Sequence, residues 1–517
     1  MNNKRVDLNT LKNIKGYENR LAYEAPFTSL SSDRKAESDS ENIKDQVRRN
    51  KIVDSLREAI EKCEIKDGMT ISFHHHFRAG DKLLMQVVDL LAEMGIKNLR
   101  IAASSLTSAH DGLVAHIENG VVNRLETSGI RGKLATAVSE GILGENPAVI
   151  RSHGGRARAI SSGDVKIDVA FLAVSSSDCM GNGNGVVGKS ICGAMGYAKV
   201  DAEYAEKVVL VTDTLVAYPN FPQSIPQTQV DYVVVVDEIG DSNGIMSGAT
   251  RFTSNPKELL MAKRALDVMK ASGLFVDGFS MQTGSGGATL AVTRFVKEEV
   301  MKRNIKLSYA LGGITAPMVE LLEEGLVSQL FDTQSFDLIA AESCGKNERH
   351  VEVSADFYAS IGNKSAAVNK LDFVLLSALE IDTDFNVNVI SGSDGVIRAA
   401  SGGHSDTAAM AKISIIVAPL TRGRLATIID KVTTVVTPGS TVDVVVTDYG
   451  VIVNPRRQDL VEKFTQAGIK MITMEKARDI AKKLVGIPKE IEFNEEVVAV
   501  VEYRDGSIID VIKKTKK

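Results

Sequence analysis

From about residue 51 onward, the apolar residues follow two alternating patterns. Short apolar runs such as MTISF (Met69–Phe73) read as strands. Between them, apolar positions return at helical spacing, as in Leu84, Val87, Val88, Leu91 and Met94. Asp81 is placed to cap that helix and Gly95 to stop it. Leu99 and Ile101 belong to the next strand, so Asp67-Gly68, strand, HHHFRAG, helix and strand make a βαβ pattern. Asp277-Gly278 starts the same order again. There a short apolar segment leads into Gly284-Ser285-Gly286-Gly287. A helix follows, marked by Ala288, Val292, Phe295, Val296 and Val300, and then the strand LSYAL.

A second correspondence is sharper. Lys166–Gly185, KIDVAFLAVSSSDCMGNGNG, aligns with Lys370–Val389, KLDFVLLSALEIDTDFNVNV. At one offset Asp168 pairs with Asp372, Asp178 with Asp382, Asn182 with Asn386 and Asn184 with Asn388. VDYVVVVD (Val230–Asp237) answers VDVVVTD (Val442–Asp448). The expected fold class is therefore α/β, as a tandem repeat of two open α/β domains whose Val-, Ile- and Leu-rich strands are buried on both faces. The expected bounds are 51–245 for the first domain and 246–517 for the second, with the junction near Asp241–Lys257. Residues 1–50 are polar and read as an exposed arm. A ligand is expected in the cleft between the domains, at the strand ends.

Composition narrows the function. The 517 residues are 44% hydrophobic and carry a net charge of −5, from 61 basic and 66 acidic side chains. That supports full cores and argues against a nucleic-acid surface. Four cysteines without a CxxC fit a reducing cytoplasm and no structural zinc. The N-terminal stretch lacks the apolar centre of a signal peptide, and no apolar run approaches the roughly 20 residues of a membrane span.

Several motifs carry candidate chemistry. The glycine turn at Gly284, Ser285, Gly286 and Gly287 offers backbone N–H groups at a helix start. These suit a phosphate or the oxyanion of an acyl transfer; the alternative is a tight turn. Gly183–Ser190, GNGVVGKS, imitates a phosphate-binding loop, with VVVVDE as its partner strand. Against that reading, SSSDCMGN intervenes after the strand, and the second copy has no GK[ST]. His75, His76 and Arg78 follow a strand and suit polar contact with a ligand. Neighbouring strand residues point to opposite faces, so the triplet does not make one metal site. In SGGHSDT, Gly402 and Gly403 form another glycine turn, His404 could exchange a proton near neutral pH, and Asp406 adds a carboxylate. Glu380 and Asp382 follow a buried strand and either face a cleft or cap the next element. Arg422 and Arg424 could clamp carboxylates or phosphates. Cys344 reads either as a nucleophile with a distant histidine or as an idle thiol.

The stretches SFHHHFRAGD, MQTGSGGATLAV and SALEIDTDFNVNVISGSDGVIRAASGGHSDTAAMA resemble the citrate lyase alpha-subunit family, over essentially the whole chain. That family belongs with the tandem-domain CoA-transferases. The resemblance implies a transferase that exchanges acetyl for citryl on a thioester, through a mixed acetyl–citryl anhydride. The thioester would sit on the CoA-derived arm of a gamma acyl-carrier subunit, with acetyl-CoA as a stand-in. A beta subunit would then cleave the citryl thioester. It implies a multi-subunit oligomer in the cytoplasm and no metal for the transfer step. Related transferases carry a nucleophilic glutamate after the strand that follows the glycine turn. Here Leu307–Met318, LSYALGGITAPM, has no carboxylate. Direct attack by citrate is then expected, with Glu380 as the fallback nucleophile.

Overall fold

In this computed structural model the described residues are 50–246, 253–284, 286–487 and 490–516. The arm reading, Ser285 and part of the expected domain junction lie outside them. Residues from Lys51 onward form one compact unit built on two large sheets.

The first sheet takes β1 (Ile52–Val53), β2 (Thr70–Phe73), β3 (Leu99–Ala103), β4 (Val122–Thr127), β5 (Ala148–Arg151), β6 (Val169–Val174), β7 (Lys207–Thr212) and β8 (Tyr232–Val235). Their order is β1-β8-β7-β6-β2-β3-β4-β5, all parallel. The second takes β9 (Met281–Thr283), β10 (Leu307–Ile314), β11 (Val327–Ser335), β12 (His350–Glu352), β13 (Phe373–Leu376), β14 (Ile413–Val417), β15 (Val444–Val446) and β16 (Val451–Val453). Its order is β12-β11-β10-β9-β13-β14-β15-β16, parallel except for the last pair. Strands β8-β7-β6-β2-β3-β4-β5 and β15-β14-β13-β9-β10-β11-β12 thus repeat one topology. Strands β2, β6 and β14 are buried at every residue, and β6, VAFLAV, is apolar throughout, as a strand covered on both faces requires.

The expected upper bound of the second domain needs correction. β17 (Phe493–Glu502) pairs in parallel with β5, and β18 (Ile508–Thr515) folds back on it, so this hairpin extends the first sheet. Arg151 of β5 grips Glu502 of β17 through Nε and Nη2, at 2.6 and 2.8 Å.

The repeated aspartates hold the scaffold. Asp168 accepts from the backbone N–H of Thr70 at 2.7 Å, and Asp372 does the same for Ser280 at 2.8 Å. Asp231 and Asp443 likewise take the N–H groups of Val208 and Ser414, each at 2.8 Å. These bonds satisfy donors at the N-terminal ends of strands. The opposite, C-terminal ends stay open for loops that differ between the two halves.

Helix α1 (Leu83–Glu93) follows β2, and Asp81 accepts from the N–H of Leu84 near its start. Gly95, at φ +80°, ends it. Helix α2 (Gly287–Arg303) follows β9, and its N-cap Gly286 supplies no side-chain cap.

Candidate active site

A cleft of about 670 Å³ opens where both sheets present the C-terminal ends of their strands. Such ends beside a reversal of strand order are where open α/β sheets bind ligands. From the first half come His75 and Arg78 after β2, Arg131 after β4, and His153 after β5, with Tyr197. The second half supplies Gln282 and Gly284 from β9 and its turn, Ser377 after β13, and Gly402, Gly403, His404 and Arg422.

The electrostatics are one-sided. Arg78, Arg131 and Arg422 line the cleft, and no carboxylate does so among the described residues. Arg78 spends one donor on the Ile245 carbonyl at 3.2 Å and lies over the Phe336 ring, 4.9 Å from its centroid. Burial first, and then the neighbouring Arg131, bring its guanidinium down to about 10. Arg78 also holds a left-handed backbone, at φ +53°, a conformation that non-glycine residues adopt at some cost. Arg131 is open to the cleft, yet desolvation lowers its pKa too. Arg422 donates to the Ala378 carbonyl at 2.7 Å.

The imidazoles are held neutral. Burial depresses His75 well below its usual value and His153 to about 3. His75 Nδ1 lies 2.6 Å from Ser104 Oγ, and Tyr197 stacks on His75 and leans on His153, with centroids 5.1 and 4.5 Å away. His76, expected as a ligand contact, is fully buried outside the cleft lining and stacks on Tyr197 with centroids 5.6 Å apart. The strand ends at Phe73 and the chain turns at once, with the Arg78 N–H donating to the His75 carbonyl at 3.0 Å.

His404 lines the cleft, but both its ring nitrogens are engaged. Nδ1 meets Thr437 Oγ1 at 2.7 Å and Nε2 meets the Ser377 carbonyl at 2.9 Å. Burial lowers its pKa to about 4. Proton exchange near neutral pH, as its sequence suggested, is therefore replaced by a fixed, neutral ring.

The carboxylates singled out in the sequence lie elsewhere. Glu380 is buried and accepts from Asn388 Nδ2 at 2.8 Å and from Thr433 N at 2.9 Å. Asp382 folds its own loop, accepting from the N–H groups of Asp384 and Asn386 at 3.0 and 2.9 Å. Its counterpart Asp178 does the same with Met180 and Asn182. Asp406 joins the two halves, accepting from Ser152 Oγ at 2.8 Å and Gly154 N at 2.9 Å. Arg424 is exposed and outside the cleft lining.

Of the glycine turn, Gly284 lines the cleft, while Gly286 and Gly287 stand behind it at the start of α2. Nothing internal demands glycine at Gly284 or Gly286. Gly286 has φ −71°, and an added Cβ at either position would meet its nearest neighbours at an ordinary 3.5 Å. Gly403 differs, because a Cβ there would strike the Tyr358 hydroxyl at 2.2 Å.

The imitation phosphate loop does not form one. Lys189 Nζ is tied to the Asp237 carbonyl at 2.8 Å, Ser190 Oγ to Asp213 at 2.6 Å, and the next helix starts only at Gly196. Cys344 has its thiol pushed well above its ordinary value, chiefly by burial. Its nearest histidine, His350, already contacts Ser343 at 2.9 Å and Asp332 at 3.1 Å. Asp332, Cys344 and His350 bring ligand-type atoms within 4.8 Å of one another, away from the cleft. Among the described residues no helix is long and apolar enough to cross a membrane.

Arg131, His153, Tyr197, Gln282 and Tyr358 were not anticipated from sequence, although Gln282 sits inside the glycine-turn stretch. His153 carried a readable signal: HGG at 153–155 mirrors GGH at 402–404.

The family model described as "Citrate lyase, alpha subunit" matches residues 49–515. The citrate lyase alpha chain of Haemophilus influenzae is 54% identical over 494 residues, covering 96% of this chain and 98% of its own. That of Escherichia coli is 54% identical over 473 residues, 92% of each chain. A crystal structure of a citrate lyase alpha subunit from Streptococcus mutans, in complex with citrate, superposes with a TM-score of 0.89 at 56% identity, covering 91% of this chain and 92% of that one. A 4-hydroxybutyrate CoA-transferase from Porphyromonas gingivalis shares the fold, with a TM-score of 0.53 at 18% identity over 85% of this chain and 98% of its own. With the family model matching residues 49–515 and both relatives aligned over more than nine-tenths of each chain, the chain belongs to the citrate lyase alpha-subunit family, the transferase subunit of citrate lyase.

Proposed function

We propose that the cleft binds citrate beside an acetyl thioester and exchanges acetyl for citryl on the sulfur. The observation that carries this reading is the charge of the cleft: three guanidiniums and no carboxylate among the described lining residues. Unpaired, partly desolvated arginines favour a ligand with several negative charges, and their planar forks match carboxylates. The citrate in the Streptococcus mutans relative agrees with this chemistry.

Attack needs no general base, because a carboxylate nucleophile is already deprotonated at neutral pH. One carboxylate oxygen of citrate bonds to the acetyl carbon, and the carbonyl electron pair moves onto oxygen. Collapse of that oxyanion breaks the C–S bond and gives thiolate and a mixed anhydride. The thiolate then attacks the citryl carbonyl, and a second collapse expels acetate. Arg78 and Arg131 hold the carboxylates that do not react. Neutral His75 and His153 offer hydrogen bonds without adding charge. The bare edge at Gly284 admits the thioester close to the backbone. Glu380 takes no covalent part, since its carboxylate is committed to Asn388 and Thr433.

The thioester belongs to the CoA-derived arm of a gamma acyl-carrier subunit, and the citryl thioester passes to a beta lyase subunit. The assembly works in the cytoplasm. Purified protein is incubated with acetyl-CoA and citrate, and products are read by mass spectrometry. Citryl-CoA and acetate are expected in equal amounts. Hydrolysis to CoA and acetate alone would overturn the reading.

A further inference from the structure

Gln282 stands in the middle of β9, is 7% exposed, and lines the cleft. Its amide meets the hydroxyl of Tyr358 at 2.9 Å, and Tyr358 is itself only 3% exposed. With Nε2 directed at that hydroxyl, two groups are left over. The amide oxygen is buried without a partner, and the phenol hydrogen has no acceptor among the described residues. A buried polar atom without a partner costs about 1–3 kcal/mol. Side-chain amide oxygen and nitrogen are told apart only by their hydrogen bonds. Exchanging them lets the phenol donate to the amide oxygen and puts the NH2 group in the buried, partnerless position of a side chain that lines the cleft. One good bond is kept, and the unused atoms become donors.

The backbone makes room for this amide. Gly312, on the adjacent strand β10, has φ +106°, and a Cβ there would lie 2.7 Å from both Cδ and Nε2 of Gln282. The pairing of β10 with β11 shifts register between Gly312 and Gly313, at the same place. A left-handed glycine and a bulge thus give Gln282 its seat two residues before Gly284.

We propose that Gln282, its amide oxygen held by the Tyr358 hydroxyl, donates a hydrogen bond to the oxyanion formed when thioester and anhydride carbonyls are attacked. Gln282 is then a catalytic residue and Tyr358 a positioning residue. The role requires the acyl transfer proposed above and adds its own donor. In each step the carbonyl electron pair rests on oxygen beside the amide. It returns as the C–S bond breaks in the first step, or the bond to the departing acetate oxygen in the second. No proton or further reactant enters. A fixed donor of this kind is worth roughly 10²–10³ in kcat.

The test compares acetyl/citryl exchange in the intact chain with Gln282→Leu, Gln282→Glu and Tyr358→Phe, with melting curves for each. Gln282→Leu and Gln282→Glu should lower kcat by roughly 10²–10³, with the KM for citrate moved only a few-fold. Glutamate has the same shape and no amide donor, so its loss separates donation from packing. Tyr358→Phe should cost less, and combined with Gln282→Leu it should add nothing further, because the tyrosine acts through the glutamine. Wild-type kcat in a folded Gln282→Leu, or in Gln282→Glu should leucine fail to fold, overturns the assignment and leaves the transferase reading standing. Absence of exchange in the wild-type protein would defeat both.

Discussion

Asp406, in the second half, accepts a hydrogen bond from Ser152 Oγ, in the first half, at 2.8 Å. The same carboxylate takes the Gly154 N–H and faces the guanidinium of Arg504 at 3.6 Å, from the hairpin that joins the first sheet. Both Asp406 and Arg504 are buried. Three separate stretches of chain therefore meet at one charge, directly behind the Gly402–His404 turn and the His153 ring.

Replacing Asp406 by alanine leaves Arg504 buried and unpaired. Breaking a buried pair from one side costs roughly 3–5 kcal/mol. A fall of that size in unfolding free energy is expected in urea titrations, with exchange lost in parallel. A change below about 1 kcal/mol would show that the junction is held elsewhere.

Arg131→Gln should raise the KM for citrate by roughly 10–100-fold with a smaller effect on kcat, because a charge-assisted carboxylate contact is removed. Arg131→Lys should recover only part of this, since an ammonium lacks the planar fork. Unchanged citrate KM in steady-state kinetics would remove Arg131 from the binding site.

Glycine at position 284 has room for a methyl group inside the protein, whose nearest neighbour would be the Leu375 carbonyl at 3.5 Å. Gly284→Ala should therefore melt like the wild type yet turn over at least tenfold more slowly, because the methyl group stands where the thioester must come close. Equal kcat in the two proteins would free this turn of any part in the site.

Glu380→Gln should retain exchange in its folded fraction, and peptide mass spectrometry after incubation with acetyl-CoA should find no thioester at Glu380. The variant is expected to be less stable, as the buried carboxylate accepts from the Thr433 N–H at 2.9 Å. A CoA adduct on Glu380 would reverse this assignment.

Acid should destabilise the protein early. His74 and His404 are lowered from 6.5 to about 4, and His153 to about 3, mainly by burial. The folded protein then binds fewer protons than the unfolded chain. Stability is intact above about pH 6.5 and is lost progressively as pH falls from there to the folded values. Asp406 acts in the opposite sense. Burial raises it from 3.8 to about 6, so it gives back some stability as pH falls below 6. Three histidines outweigh one aspartate, and Tm should drop between pH 6.5 and 5. A flat Tm over that range would contradict the burial of these rings.

The repeat was legible because it is written in residues that serve the backbone. Asp168 and Asp372 each bind an N–H group at the start of a neighbouring strand, and that duty survives whatever the loops do. For Glu380 and Asp382 the sequence left two places open, a cleft wall or the cap of the next element. Their position after a buried strand is visible in the sequence, but not the turn of the chain that commits them to Asn388 and to the loop itself. Arg131, His153 and Tyr197 meet in the cleft from the starts of three helices far apart in sequence, so no local spacing announces them. The placement of β17 and β18 was equally hidden, since an alternating strand pattern does not say which sheet edge it will join.

The pairing of β5 with β17 also has a temporal side. Arg151 and Glu502 are 351 positions apart. During synthesis, β5 emerges from the ribosome long before its partner exists, and the whole second half must be translated in between. For that interval the nascent chain carries an exposed parallel edge, the kind that recruits stray strands. Folding helpers that shield such an edge would matter most for this molecule while it is still attached to the ribosome, before the hairpin at residues 493–515 has been made.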